Sequence, residues 1–424
     1  MIKYLFIGLV LLDYVWKLFG VYLSSRQMKK PLPACVKGIY DDEQYARWVS
    51  YTHAKRRFGL ITGGISTLLL VLIFAFDLFS LVRGMVGLEG RLGDAVMVAV
   101  FCLFFSLADI IPDYIFTFRI EEAYGFNRST KKTFWGDVVK NAIISLILTE
   151  LLAVGAALLY DLVGMWLVAG IFLALCVMVI LSSLLALPLQ KIFYRFDPLE
   201  EGSLRDRINE LFLSNGYQIR SIYVMNASKR TTRVNAFCAG IGRAKKIALF
   251  DNLVNQYTED EITAVFAHEL GHDKHKDTTV LVLLQTLIYA VISALIGLMV
   301  ATPAASEALG FAEVNVAALV MTLSLAVLSP VMTLVMIPFN LISRHMERRA
   351  DAFAVACGLG RPLISALKSL CRDNLANLNP HPFLSAIGDS HPTVGERVLN
   401  IEKAMAKIPA DSRAEAPTES RPQG

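Results

Sequence analysis

The run GMWLVAGIFLALCVMVILSSLLALPL (164–189) contains 26 residues and not one charge. A helix needs about 20 mostly apolar residues to cross a bilayer, so this run is long enough to span one. A second apolar stretch, AIISLILTELLAVGAALLY, precedes it at 142–160, and others lie at 3–24, 59–82, 95–118, 279–301 and 317–342. Together the seven predict a mainly α, polytopic membrane protein. The whole chain agrees: 55 % of its 424 residues are hydrophobic and 18 % charged, too apolar a balance for an ordinary soluble protein. A net charge of +4 gives no reason to expect a nucleic-acid partner. The six cysteines are scattered without a C-x-x-C pair and read as free thiols. The first apolar run carries Asp13 and Lys17, lacks a clean cleavage pattern, and reads as a retained span.

Basic loops stay in the cytoplasm. The loop after the first span holds eight Lys and Arg, among them Arg47, Lys55 and Arg56, and that after the third holds five; the turn after the fourth and the loop 302–316 hold none. The alternation predicts an outside N-terminus, with the C-terminus and both polar segments, 190–278 and 343–424, in the cytoplasm. Asp77, Asp109, Asp113 and Glu150 fall within the apolar stretches, so they face the bundle interior or sit at span ends.

Within 190–278, Ser221–Ala227 and Lys245–Phe250 read as short strands, with a turn at Gly240 and Gly242 between them. Thr258 and Glu261 form a capping box that starts a helix. That helix reads TEDEITAVFAHELGHDKHKD (258–277). His268 and His272 are four residues apart, so their imidazoles share one face and can reach one tetrahedral metal. Glu269 lies alongside, placed to take a proton from the attacking water. The charges flanking the motif put it at or outside the membrane surface. A metzincin would carry Gly at 275 and His at 278; here His275 and Thr278 stand there, and His275 reads as a solvated helix residue. A third ligand is needed. The stretch SRHMERRADAFAVACG (343–358) offers Glu347, with Asp351 one turn on, on the same face. Glu347 is the expected ligand. Asp351 is expected either to hold a ligand histidine or to act in proton transfer. Two imidazoles, one carboxylate and an open position suit Zn²⁺, one per chain.

These residues resemble the type I CAAX prenyl endopeptidases, seven-span zinc proteases of the gluzincin kind. The likeness runs along nearly the whole chain: IEEAYGFNRST (120–130), DPLEEGSL (197–204), KRTTRVNAFCAGIG (229–242), KKIALFDNLV (245–254), HELGH, SRHMERRADAFA, NLANLNPHP (374–382) and SHPTVGER (390–397) occur in the family's order. The resemblance implies a water-filled chamber within the spans and a substrate-binding edge strand at Asn235. It also implies an oxyanion-stabilising histidine at His391, preferred to His381, with Arg397 supporting that region. It implies a peptide or protein substrate, cut after a C-terminal prenylated Cys. Expected divisions are a five-span membrane region at 1–190, a metalloprotease domain at 191–407, and a disordered tail at 408–424. A monomer in a bacterial inner membrane is expected, with the endoplasmic reticulum as the alternative. In a bacterium the task would be quality control of membrane proteins rather than prenyl processing. A transporter or an inert zinc scaffold is the rival of another class; neither needs the ordered metal and cleft motifs.

Overall fold

The structure is a computed structural model that describes residues 1–217, 221–239 and 246–407. The expected turn at Gly240 and Gly242, the first residue of the second expected strand and the tail from 408 lie outside the described residues.

Among the described residues, six helical stretches are long and apolar enough to cross a membrane: Ile2–Gln27, Asp42–Ala75, Gly90–Glu121, Lys131–Leu181, Asp277–Val300 and Val316–Ala356. The fourth carries two of the expected spans. It is interrupted by a 3₁₀ turn at Gly164–Trp166, where Gly164 has φ of +57°, so that Lys131–Val163 and Leu167–Gln190 are separate helices. Few residues of these helices are buried, and rows such as Ile143, Ile147 and Leu151 stand exposed. An apolar exposed face is what a lipid solvent accepts. Inside the bundle, Ala153, Ala156 and Ala157 pack with Val316–Val320. Such small side chains let helices approach closely without a hydrophobic drive between them.

One expected span is corrected. Residues 59–82 do not form one helix: Asp42–Ala75 ends at Phe76, and a new helix, Leu78–Val86, begins after Asp77. Asp77 takes a left-handed φ of 51° and pairs with Lys3 at 2.7 Å. The basic residues Arg47, Lys55 and Arg56, expected in a loop, lie on helix Asp42–Ala75, which the Asp41 capping box starts. Asp109 and Asp113 line a cavity of about 430 Å³ between the spans, together with Asp13, Lys17, Thr62 and Ser329.

The polar domain holds a four-stranded sheet. Its strands are β1 (Phe196–Pro198), β2 (Ser221–Met225), β3 (Ala236–Ala239) and β4 (Lys246–Phe250), in spatial order β1-β2-β4-β3. β2 and β4 pair in parallel; β1 and β3 pair antiparallel at the two edges. The sheet shares a core with helix Glu259–Lys274, in which Ile208, Leu249, Ile262, Phe266, Leu270 and Leu363 are buried. The Thr258 capping box forms as expected. Cys35, Cys102, Cys176, Cys357 and Cys371 are free thiols.

Candidate metal centre

Two helices cross to build the site. Helix Glu259–Lys274 carries His268, Glu269 and His272; helix Leu328–Ala356 carries Glu347 and Asp351. The crossing point explains the glycine between the histidines. A Cβ at Gly271 would lie 2.9 Å from Ala350 Cα, closer than two carbons can pack, so only glycine lets the two backbones approach this far.

At this crossing one ligand atom from each of His268, His272 and Glu347 lies within 4.8 Å of the others. The two histidine Nε2 atoms are 3.2 Å apart. Each lies 3.4 Å from one oxygen of Glu347, His268 from Oε2 and His272 from Oε1. Both outer nitrogens are tied back by carboxylates: His268 Nδ1 to Asp351 Oδ1 at 2.9 Å, and His272 Nδ1 to Asp277 Oδ2 at 2.9 Å. A ring that donates its Nδ1 proton to a carboxylate turns an Nε2 lone pair inward. Burial drives the His268 ring toward its neutral form, yet the neighbouring carboxylates of Asp351 and Glu347 outweigh burial and raise its pKa to about 9. The surroundings therefore favour positive charge at this point.

These residues fit a divalent metal. Glu347 Oε2 is buried without a hydrogen-bond partner, its nearest nitrogens standing at 3.4 and 3.5 Å. A buried carboxylate oxygen left so costs about 1–3 kcal/mol or more, and two inward lone pairs face each other beside it. A cation between the three resolves both problems.

Arg397 completes the wall. Its Nε and Nη2 donate to Asp351 Oδ2 and Oδ1 at 3.0 and 2.6 Å, and its Nη1 lies 3.5 Å from Glu347 Oε2. Nη2 is also 3.2 Å from His268 Nδ1; with that nitrogen's proton directed at Asp351, the guanidinium N–H belongs to Asp351. Arg397 and Asp351 thus brace His268 and Glu347. His391 is 62 % exposed and stands on the open side, its Nδ1 3.4 Å from Glu347 Oε1. His381 stands at the N-terminal end of the short helix Pro382–Gly388 without a side-chain cap hydrogen bond, and no contact joins it to His268, His272 or Glu347 among the described residues. Glu269 is half-buried and makes no hydrogen bond among the described residues. Asn235 immediately precedes β3, and its carbonyl accepts from Phe250 N at 3.1 Å. His275 is exposed at the helix end.

Sequence reasoning missed Asp277. Lys276 adopts a left-handed φ of 56°, which turns the chain so that Asp277, at the start of the next span, folds back onto His272. Asp277 is also paired with Arg349. The available signal was an acidic residue directly after a motif helix at the mouth of a span.

A two-histidine, one-carboxylate centre set at the end of a bundle of membrane-length helices defines a membrane metallopeptidase. Comparisons with known proteins specify it. Residues 198–405 match peptidase family M48, and residues 21–189 match the CAAX prenyl protease N-terminal region, described as five membrane helices. The CAAX prenyl protease 1 homolog of Arabidopsis thaliana is 30 % identical over 93 % of this chain and 96 % of its own length. That of Oryza sativa subsp. japonica is 29 % identical over 92 % and 95 %. The crystal structure of S. mikatae Ste24p superposes with a TM-score of 0.85 at 26 % identity, covering 94 % of this chain and 99 % of that one. The chain belongs to the CAAX prenyl endopeptidase family and is a multi-pass integral-membrane metalloendopeptidase. That identification displaces the transporter and scaffold readings.

Proposed function

We propose that this chain is a zinc-dependent endopeptidase that trims C-terminal C-a-a-X-type sequences at the membrane face. The observation that carries the proposal is the convergence of His268, His272 and Glu347 with Glu347 Oε2 buried and unpartnered. When bound there, zinc supplies Lewis acidity, polarising the scissile carbonyl and making water more acidic. Glu269 takes one proton from the attacking water at its carboxylate. It delivers that proton to the leaving amine as the C–N bond breaks and the new C–O bond remains. His391, on the open side, donates a ring N–H to the developing oxyanion. Asp351, Asp277 and Arg397 hold the ligand rings and Glu347 in register.

Substrate backbone pairs with the sheet edge at Asn235 and β3. β3 ends the strand order, which supports addition of an extended peptide strand there. Seven crossings, counting Lys131–Val163 and Leu167–Gln190 separately, carry the site on the cytoplasmic side. In this reading residues 1–190 form the membrane region and 191–407 the protease domain, the chain acting as a monomer. The names of the relatives, together with the matched extent, favour prenylated substrates over general quality control.

Purified protein in detergent, loaded with zinc, is expected to cleave a quenched fluorogenic peptide ending in farnesylated C-a-a-X. It should leave the unprenylated peptide largely intact. Equal turnover of both would remove prenyl recognition. New C-termini in membrane proteomes of cells with and without the active protein would then identify the substrates.

A further inference from the structure

Four buried polar residues form one stripe along helix Leu328–Ala356: Asn340, Arg344, Glu347 and Asp351. Their spacing of four, three and four residues keeps them on one helical face. The last two belong to the metal centre. The first two make no contact with it among the described residues, and Arg344 is anomalous. It is only 7 % exposed, and no carboxylate pairs with it among the described residues. Burying an unpaired charge is costly unless its donors are filled. They are filled by backbone. Nη1 donates to Ser385 O at 2.9 Å and to Asp389 O at 2.8 Å, and Nη2 donates to Ala386 O at 2.7 Å. One turn earlier, Asn340 Nδ2 donates to Ile387 O at 2.8 Å. The two side chains thus gather four carbonyls at the end of helix Pro382–Gly388. The last carbonyls of a helix lack intrahelical partners and carry the negative end of its dipole. His391 follows two residues after Asp389.

We infer that Arg344 is a positioning residue, with Asn340 as its auxiliary. By fixing the Ser385–Asp389 backbone to the helix that carries Glu347, it sets where His391 stands over the metal centre. The inference rests on the reading of His391 as the oxyanion donor. The arrangement makes one rigid helix the common reference for the third ligand and the oxyanion group. A lysine cannot reproduce it, because its single ammonium cannot hold three carbonyls in the guanidinium's planar fork.

The test is a double-mutant cycle on the full-length, zinc-loaded protein with the farnesylated peptide. Arg344→Lys is expected to lower kcat about 10- to 100-fold, as an error of about an ångström in a catalytic group does. KM and zinc content should stay near wild type. Asn340→Ala, which removes a single hydrogen bond, gives a second variant that folds if Arg344→Lys does not; it is expected to lower kcat several-fold in the same pattern. In a His391→Ala background either substitution should cost less than twofold more, since the group being positioned is gone. Full multiplication of the losses in that background would overturn the positioning role while leaving His391 as oxyanion donor. Loss of zinc in parallel with kcat would also overturn it. His391→Ala with unimpaired turnover would instead overturn the oxyanion reading, and this inference with it.

Discussion

Asp277 Oδ2 lies 2.9 Å from Nδ1 of His272, while its other oxygen is held by Arg349. Asp277 is 1 % exposed and begins the span that follows the motif helix. The same carboxylate that fixes the ring of His272, a proposed metal ligand, therefore also anchors the motif helix to the membrane bundle. Asp277→Asn keeps the size and removes the charge. It is expected to weaken zinc binding about 10- to 100-fold, measured by competition with a chelator. Unchanged affinity would make the contact purely structural.

Glu347→Ala should remove most of the zinc from purified protein, because two imidazoles alone leave the ion underligated. Elemental analysis against wild type checks this. Full retention would strike Glu347 from the ligand set and leave its buried, unpartnered oxygen without an account.

His391→Ala and His381→Ala should differ sharply. A group that meets only the oxyanion acts on the transition state, so its loss appears in kcat, here by about 10²- to 10³-fold. His381 shares the His-Pro sequence but stands at the start of a short helix without a side-chain cap hydrogen bond, and its substitution should leave kcat within a few-fold of wild type at similar zinc content. Equal losses would mean that both loops act through folding.

The site was legible where its parts share one helix. The spacings His268–His272 and Glu347–Asp351 are single turns, and a single turn can be read from a sequence. Asp277 was not legible, because its approach to His272 depends on the left-handed Lys276, a conformation that a lysine does not announce. Nothing in the sequence singled out Arg344, since only tertiary packing buries it. The spans were read from their apolar length, which is blind to backbone breaks: hydropathy runs straight through Phe76 and Asp77, where the helix ends. β1 went unseen and β3 was expected only from the family resemblance, because strands of three and four residues are too short to display alternation.

Orientation can be tested by cysteine labelling from outside the cell. Single cysteines within 302–316 should react with a membrane-impermeant reagent in intact cells. Those within 130–140 should react only after permeabilisation, because the basic residues of that segment predict an inward position. The reverse pattern would invert the topology and put the metal centre on the other face of the membrane.

The central claim is that this centre hydrolyses peptide bonds with Glu269 as the base. Glu269 braces nothing: it stands half-buried beside the ligands with no hydrogen bond among the described residues. Glu269→Gln changes its proton affinity and little else. Zinc content and turnover of the farnesylated peptide, measured on one preparation, test the claim most directly. The expected result is zinc near one equivalent per chain with kcat reduced about 10²- to 10⁴-fold. Turnover above about a tenth of wild type with zinc in place would contradict the account, since another group would then be activating the water.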